Sequence, residues 1–298
     1  MWIGDTNNVA QEADKLYIGN NVNSAVEIEA AWIGDENGKA QLIFKGGVDA
    51  GEVVFTESTT WTVPEGVSNI EIFAVGGGGG GGGGYRYWKT NGYWDCYYSS
   101  GGAGGYTNTI EAEVTAGDEL TIVVGAGGTV GLYYERDGSD IEGTTTSTSG
   151  MTNGGAGGAS TVLRGDSVLI TANGGNGGYK NKNSAYVAGA DGGSGSGCGG
   201  KDVYTSSSSV QVYTGKDGSD GSDGGQATIE STGALAGVAG KGQGTTTRAF
   251  GESNGTLYST AGVPNPSANS GHGGRGHDSI GVPYSGASGI VIIRWAEQ

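Results

Sequence analysis

The sequence is poor in the residues that metal and catalytic sites use most. It has 2 cysteines, 2 histidines and 4 prolines among 298 residues. Cys96 and Cys198 supply neither a disulfide framework nor a metal-ligand spacing. We expect two free thiols, with a Cys96–Cys198 bridge as the alternative. No apolar run approaches the ~18 residues of a membrane span, so we expect no membrane insertion, and the composition suggests no cofactor.

Basic residues are also scarce, with 15 Lys and Arg against 31 Asp and Glu and a formal charge of −16. Nucleic-acid grooves and surfaces that bind anionic membranes need clustered Lys and Arg. We therefore expect no nucleic-acid partner. The first residues lack a basic region followed by an apolar core, so the sequence predicts no secretion signal and synthesis in a cytoplasm.

Glycine, by contrast, supplies 66 of the 298 residues, about three times its ordinary share of ~7%. Nine consecutive glycines fill residues 76–84 directly after an apolar run, and shorter runs follow at 124–128, 153–158 and 173–178. Ordering one residue costs roughly 1–2 kcal/mol of backbone entropy. Only an arrangement that requires glycine offsets this cost, such as close packing of three-residue-per-turn strands. We predict an ordered slab of such strands, with disordered tethers as the alternative.

A strand–turn–strand pattern precedes the glycine runs and recurs at residues 52–75, 106–124 and 160–172. Glycine-containing turns are predicted at 64–66, 116–118 and 164–166; the last matches the integrin-binding tripeptide Arg-Gly-Asp, but we interpret it as a hairpin turn. The closing run at 289–295 is apolar on both faces, which predicts a central strand. No segment combines the ~3.6-residue apolar period of a helix with helix-capping residues. We predict an all-β fold: short β-hairpins forming a small sandwich, with stacked glycine-rich segments of polyproline-II type.

The N-terminal residues 1–46 contain an internal repeat. Trp2, Tyr17 and Trp32 are each followed by Ile-Gly at a spacing of 15 residues, and each unit ends in an alternating segment. This pattern predicts short strands joined by tight turns, too few to bury a core alone. We predict a strand-repeat module for anchoring and oligomerisation, with a plain structural extension as the alternative. Residues 47–298 form the second domain, in which 189–276 supply further glycine-rich strands and projecting loops.

An aromatic insertion follows the nine glycines directly. Seven of the fourteen residues at 85–98 are aromatic, with a turn predicted at 90–92. Aromatic side chains at a hairpin tip are typical of binding surfaces, whereas the alternatives are cover for the glycine slab and contact with a partner chain. The candidate receptor-binding residues are Tyr85, Tyr87, Trp88, Tyr93, Trp94, Tyr97 and Tyr98. Tyrosines elsewhere could widen this face, namely Tyr133, Tyr134, Tyr179, Tyr186, Tyr204, Tyr213, Tyr258 and Tyr284.

Two further groups could bind a metal. Asp217, Asp220 and Asp223 would lie along one edge of a three-residue-per-turn strand, where calcium binding competes with a simple solvated edge. His272 and His277, beside Asp278, could hold a metal or act as a base. The competing interpretation is that the two histidines are exposed or hydrogen-bond to glycine backbone. No nucleophile stands out, and we expect no enzymatic activity.

Two stretches carry a resemblance to a known family. Residues 60–67, Thr-Trp-Thr-Val-Pro-Glu-Gly-Val, are followed by Ile-Phe-Ala-Val at 72–75 and the glycine run. Together with the closing Ser-Gly-Ile-Val-Ile-Ile-Arg-Trp at 288–295, they resemble the glycine-rich domain of tailed-bacteriophage fibre and tail proteins. The Trp/Tyr-Ile-Gly units of residues 1–46 resemble the N-terminal part of tail-associated proteins from phages of Gram-positive hosts.

The resemblance implies a virion protein exposed at a fibre or tail tip. In such adhesins, stacked polyglycine-II helices present variable loops to the host surface, without enzymatic activity. It further implies a homotrimer, contacts with other virion subunits through residues 1–46, and a bacterial cell-surface glycan or protein as receptor. A structural virion component, such as a head fibre, decoration or tail-shaft protein, is the alternative function.

Overall fold

The computed structural model describes residues 48–89, 93–137, 140–141, 143–182, 186–196, 199–203, 211–212, 247–277 and 282–297. It describes the backbone alone in the strands at 88–89, 93–95, 141, 186, 199–203 and 211–212, and in short strands within 2–45, 228–229 and 237–238. The regular elements of these residues are strands and two single turns of 3₁₀ helix, so the all-β prediction is confirmed. Within the described part of the chain, no helix is long and apolar enough to cross a membrane.

The N-terminal repeat forms three antiparallel strand pairs, one for each unit. The pairs are β1 (Trp2–Gly4) with β2 (Ala10–Glu12), β3 (Leu16–Gly19) with β4 (Ala25–Ile28), and β5 (Ala30–Gly34) with β6 (Ala40–Lys45). The strands therefore follow the sequence period. Their anchoring role remains a prediction.

Seventeen further strands follow the N-terminal repeat in the described part of the chain. They are β7 (Gly51–Phe55), β8 (Thr59–Thr62), β9 (Asn69–Val75), β10 (Tyr85–Lys89), β11 (Tyr93–Tyr97), β12 (Thr107–Glu113), β13 (Glu119–Val123), β14 (Tyr134–Asp137), β15 (Asp140–Ile141), β16 (Ser160–Arg164), β17 (Ser167–Ala172), β18 (Tyr186–Val187), β19 (Gly199–Val203), β20 (Gln211–Val212), β21 (Thr228–Ile229), β22 (Gly237–Val238) and β23 (Ile290–Trp295). The 3₁₀ turns are Thr148–Gly150 and Ala249–Gly251.

Two four-stranded antiparallel sheets pack face to face as a sandwich. Their strand orders are β12-β9-β23-β7 and β17-β16-β13-β8. Alternating side chains meet between the sheets, where Ile72, Leu120, Ile122, Val162 and Ile293 are fully buried. Burying such a side chain contributes about 1.5–3 kcal/mol. This core is the predicted small sandwich.

Strand β23 lies centrally, as its apolar run predicts. It pairs with β9 on one side and β7 on the other. Val291 and Ile293 face the sandwich core, while Ile290 and Ile292 pack on the outer face with Phe250 and Tyr258. Both faces of the strand are therefore covered.

The three predicted turns lie at the end of the sandwich that is far from the glycine segments, but only the last one closes a hairpin. Strands β8 and β9 belong to different sheets, as do β12 and β13, so the turns at Gly66 and Gly117 cross from one sheet to the other and the hairpin prediction is wrong for them. Gly66, Gly117 and Gly165 have φ angles of 86°, 86° and 57°, a region that L-residues with side chains rarely adopt. Arg164 and Ser167 are register partners across the last turn. The Arg-Gly-Asp tripeptide is thus part of a hairpin, as expected.

The nine glycines form the axis of a backbone-packed bundle. Their amides donate to three segments with a period of three: residues 76, 79 and 82 to Tyr106, Ala103 and Ser100; 77, 80 and 83 to Gly158, Gly155 and Thr152; and 78 and 81 to Ala287 and Tyr284. Their carbonyls accept from three others: 77, 80 and 83 from Gly175, Gly178 and Asn181; 78, 81 and 84 from Gly128, Gly131 and Tyr134; and 79 from Gly274. A period of three residues is that of a threefold helix, and the predicted slab is confirmed.

The six neighbours also bond to one another and close a ring around the axis. Going around it, the ring consists of residues 125–131, 152–158, 174–181, 100–106, 271–277 and 284–289, each hydrogen-bonded to the next and the last to the first. Between any two neighbouring ring members, the residue number of one rises along the pair while that of its bonded partner falls. Neighbouring ring members therefore run antiparallel. Segments 191–194 and 260–263 lie outside this ring and bond to it. We call the ring and its axis the glycine bundle.

Only glycine fits on the bundle axis. A Cβ atom added at any of residues 76–83 would lie 1.8–2.5 Å from a backbone carbonyl oxygen, closer than any real carbon–oxygen contact. Each axial residue is also buried. The run of nine glycines is therefore a packing requirement rather than a flexible linker.

The sandwich strands continue directly into the bundle. Strand β9 leads into residues 76–84, and the antiparallel β9–β12 pair extends as the bond from Gly76 N–H to the Tyr106 carbonyl, 2.9 Å long. At this junction the buried Ser160 hydroxyl donates to the Val75 carbonyl (2.6 Å) and accepts from the Gly125 amide (2.9 Å). Ser160 thus joins the two sheets where they converge on the bundle.

Candidate functional site

The far end of the bundle carries a third sheet, which contains the aromatic insertion. Strand β10 starts at the residue after Gly84 and pairs antiparallel with β11, so the predicted hairpin forms. Strand β14 adds in parallel on the other side of β10. The order of this sheet, which we call the tip sheet, is β15-β14-β10-β11-β19-β18, with β20 on β19. The hairpin therefore lies in the middle of a sheet rather than projecting alone.

Strand register places several tyrosines on one face of the tip sheet. Tyr85 opposes Tyr97 on β11 and Tyr134 on β14, and Tyr87 opposes Arg136. Register partners lie on the same face, as do residues two apart on one strand. We call these five residues the tyrosine face. Tyr85, Tyr87, Tyr97 and Arg136 are half-buried, and Tyr134 is 7% exposed.

The rings of the tyrosine face stack on one another. The Tyr85 centroid lies 5.4 Å from that of Tyr134, 5.7 Å from that of Tyr97 and 6.3 Å from that of Tyr87. The Tyr85 and Tyr134 planes differ by only 14°. The guanidinium carbon of Arg136 lies 5.4 Å from the Tyr87 centroid, within the range of a cation–π contact. The face is thus a continuous row of rings that ends at a cation.

The opposite face of the tip sheet is fixed to the bundle by a buried hydrogen bond between His277 and Glu135. The Nε2 atom of His277, whose side chain is fully buried, lies 2.9 Å from the Glu135 Oε1 atom. Arg86 Nε lies 3.5 Å from the same oxygen. The hydrogen bond from His277, with the charges of His277 and Arg86, lowers the pKa of the Glu135 carboxyl despite its burial.

Ser99 extends this connection into the bundle axis. Its hydroxyl accepts from the His277 amide (2.7 Å) and donates to the Gly82 carbonyl (2.5 Å). The ring of Tyr133 packs 5.6 Å from the His277 ring. These contacts hold the strands under the tyrosine face in a fixed position on the bundle.

The two histidines occupy separate positions rather than one site. The Nδ1 atom of His272 accepts from the Thr260 amide at 2.9 Å, and burial lowers its pKa. The expectation of exposed histidines is wrong for His277, which is fully buried. His272 does bond to a backbone amide, but the amide is that of Thr260 rather than that of a glycine as predicted. Among the described residues, no three His, Cys, Asp or Glu side chains form a metal-binding group.

The predicted receptor-binding residues fall into three groups. Tyr85, Tyr87 and Tyr97 lie on the tyrosine face. The side chain of Tyr98 is only 8% exposed, and its carbonyl accepts from Asn181. For Trp88, Tyr93 and Trp94 the structure describes the backbone alone, within β10 and β11. The binding role of all seven stays a prediction.

The sequence analysis did not identify Arg136 as part of the tyrosine face, and it named Tyr134 only as one of several tyrosines that could widen the face. Tyr134 was among the tyrosines that could widen the face, and it does so, whereas Tyr258 packs against Phe73 instead. Arg136 joins the face because β14 pairs with β10 in parallel. No local signal indicates that pairing, since the two strands lie far apart in the sequence.

Several predictions fall on residues outside the described part of the chain. Asp217, Asp220 and Asp223 lie there, as does Cys198. Cys96 itself is buried in β11. Calcium binding and the Cys96–Cys198 bridge therefore stay predictions.

A comparison with protein families finds a match over most of the chain. Residues 53–296, which include the sandwich, the glycine bundle and the tip sheet, match the family described as glycine-rich domain. No curated protein matches the chain. The match covers well over half of the 298 residues, and the chain therefore belongs to the glycine-rich domain family.

Proposed function

We propose that this protein is a virion component of a tailed bacteriophage, a tail-fibre or tail-tip adhesin that binds a glycan receptor on the host cell surface through the tyrosine face. The observation that carries the proposal is the position of this face. It lies at one end of a rigid bundle, and the chain enters and leaves the domain at the other end. An adhesin needs this separation between attachment and recognition.

The strand register of the sandwich supports this separation between the ends of the domain and the tyrosine face. Gly51, the first residue of β7, opposes Trp295, the last residue of β23, at the end of the sandwich far from the bundle. From there, β9 spans seven residues and the axis nine. At ~3.3 Å per strand residue and ~3.1 Å per threefold-helix residue, the tip sheet lies roughly 50 Å from both ends of the domain.

The rigidity of the bundle supports presentation of a binding face. Each axial residue is held by one or two backbone hydrogen bonds to the ring and has no side-chain rotamers to fluctuate. A preorganised face loses little entropy on binding. Residues 1–46 enter the domain at the opposite end, where we place the anchor to other virion subunits and the trimer contact.

A structural virion component without receptor binding is the second candidate. One observation favours it: the rings of the tyrosine face contact one another, and Tyr134 is almost fully buried. Rings packed in this way also serve to cover the end of the bundle. The two candidates differ in whether bacteria bind the isolated protein.

Binding of fluorescently labelled full-length protein to a panel of bacterial strains tests the proposal. On a strain that binds it, Tyr87→Ala should lower the cell-bound fluorescence about tenfold, since interface aromatics often carry most of the affinity. Val168→Ala is the control, because Val168 is 55% exposed at the sandwich. Equal loss in both variants, or no bound strain, would contradict the adhesin proposal and favour the structural one.

A further inference from the structure

We propose that copies of this protein associate side by side through an uncharged face that runs from the sandwich onto the glycine bundle. This contact lies in the domain of residues 47–298 and is additional to the one that we place at residues 1–46. It does not depend on what the tyrosine face binds.

Three neighbouring segments form this surface, which we call the uncharged face. They are residues 121–132, 152–161 and 171–179, and each joins one strand of the second sheet to the bundle. The segments lie side by side, because β13, β16 and β17 are hydrogen-bonded neighbours and so are the bundle segments that continue them. The chain average of 15% charged residues predicts about five in these 31 positions, yet none is charged.

Exposed side chains recur at every third residue in the bundle part of the uncharged face. They belong to Ala126, Thr129, Leu132, Asn153, Ala156, Ala159, Asn173, Asn176 and Tyr179. In 153–159 and 173–179, two glycines separate each exposed side chain from the next. Val123, Leu132 and Tyr179 are also three of the six large apolar side chains that are exposed among the described residues. The face therefore presents rows of neutral side chains with glycine between them, and exposed apolar groups of this kind mark interaction surfaces.

The spacing of these side chains fits a second copy of the same chain. Three residues of a threefold helix rise ~9.3 Å, so successive exposed side chains are separated by this distance along each segment. Side chains of one copy can enter the gaps above the glycines of another at every repeat, because both copies have the same period. A partner with a different period would lose this match within one or two repeats.

The distribution of charge favours the same partner. Copies that each carry a charge of −16 repel one another, and like charges placed opposite each other oppose contact. The uncharged face lets two copies meet without such a juxtaposition. The outer face of the other sheet does not, because Glu52, Arg294, Glu71 and Glu111 form one row of register partners across it. That face is also partly covered by Phe250 and its neighbours.

The size of the uncharged face predicts how strongly it binds. At ~3.3 Å per strand residue and ~3.1 Å per threefold-helix residue, the face is roughly 30–40 Å long, and three strands ~4.8 Å apart make it roughly 14 Å wide. Two copies would bury roughly 1,000 Å² in total, at the lower end for specific interfaces. We therefore expect reversible association at micromolar concentrations.

Sedimentation velocity of the full-length protein at rising concentration tests the inference. The mean mass should rise above that of one chain, and Ala156→Asp, which places a negative charge at the centre of the face, should weaken association at least tenfold. Ser253→Asp is the matched control, because it adds the same charge at an exposed position in the segment that covers the outer face of the other sheet. Both substitutions are at exposed positions, and equal melting temperatures would confirm that both variants fold. A mass of one chain at every concentration, or equal association of the two variants, would overturn the inference.

Cross-linking distinguishes this contact from one at residues 1–46. Ala156→Cys, treated with a short bis-maleimide, should give covalently linked copies, whereas Ser253→Cys should give no more than the wild type, in which Cys96 is buried. If Ala156→Cys cross-links no better than Ser253→Cys while the protein still associates, the contact lies elsewhere and the inference is wrong.

Discussion

The sandwich and the glycine bundle are formed by the same continuous chain segments, yet different atoms hold them together. In the sandwich, side chains such as Leu120 and Ile293 fill the space between two sheets. In the bundle, backbone meets backbone, and carbonyl oxygens occupy the space where a Cβ would lie. The comparison shows that one strand can pass from apolar packing to backbone packing within a single residue, between Val75 and Gly76. Adding a side chain should therefore lower the free energy of unfolding most in the bundle, and removing one should lower it most in the sandwich.

The largest expected effect is that of adding one methyl group on the bundle axis. In Gly80→Ala the new Cβ would lie 2.0 Å from the Thr129 carbonyl oxygen. Because neighbouring backbones surround this position, we expect a loss of more than about 4 kcal/mol in the free energy of unfolding. Urea unfolding followed by circular dichroism measures it.

Gly158→Ala is the matched control for that substitution. Its added Cβ would lie 3.1 Å from the Ala126 nitrogen, its nearest neighbour, so a small shift relieves the contact. Equal destabilisation by both variants would show that the distance from the added Cβ to the neighbouring backbone does not decide the cost.

Removing a side chain should have the next largest effect, and in the sandwich rather than the bundle. Leu120→Ala leaves a cavity in the core and should cost about 2–5 kcal/mol of unfolding free energy. Val168→Ala, at a position 55% exposed, should change it by less than about 0.5 kcal/mol. A neutral Leu120→Ala variant would contradict the division of the molecule into side-chain and backbone packing.

A smaller effect is expected at the junction of the two regions. Ser160→Ala removes the acceptor of the buried Gly125 amide and should cost about 1–3 kcal/mol. Ser58→Ala is the control, because the Ser58 hydroxyl accepts from the Val124 amide at an exposed position. Thermal unfolding of the two variants measures the difference, and a larger loss at Ser58 would contradict the role of Ser160.

The smallest expected effect depends on pH. The pKa of Glu135 is lowered in the folded protein, so its ionised form stabilises the fold above the ordinary glutamate pKa near 4.5. This contribution is lost as pH falls through the lower, folded pKa. Glu135→Gln should flatten the decline in melting temperature below pH 4.5, while exposed Glu57→Gln should not. An unchanged profile in Glu135→Gln would contradict the linkage.

The sequence predicts the parts of this fold that depend on local patterns. Alternating apolar residues around Gly66, Gly117 and Gly165 predict the strands and their turns, although only the Gly165 turn closes a hairpin and the other two cross between the sheets. The two-faced apolar run of β23 predicts its central place. The glycine slab follows from the requirement for close backbone contact. Each of these signals lies within a few neighbouring residues.

The arrangement of the bundle could not be predicted from the sequence. Glycine amides and carbonyls are chemically alike, so no residue indicates that Gly80 N–H bonds to Gly155 rather than to another glycine. The flanking strands fix that choice through their own pairing. For the same reason, the parallel pairing that brings Arg136 to Tyr87 has no counterpart in the local sequence.

The alternating direction of the ring has a consequence for how this protein can diversify. At the tip, residue 84 connects to 100, residue 131 to 152 and residue 277 to 284, and each connection joins antiparallel neighbours that are already bonded to each other. The ends of these loops are therefore held side by side whatever sequence lies between them. Closing a longer loop costs only ~0.6 kcal/mol for each doubling of its length. The length of these connections could therefore change at little cost while the bundle beneath them stays constant.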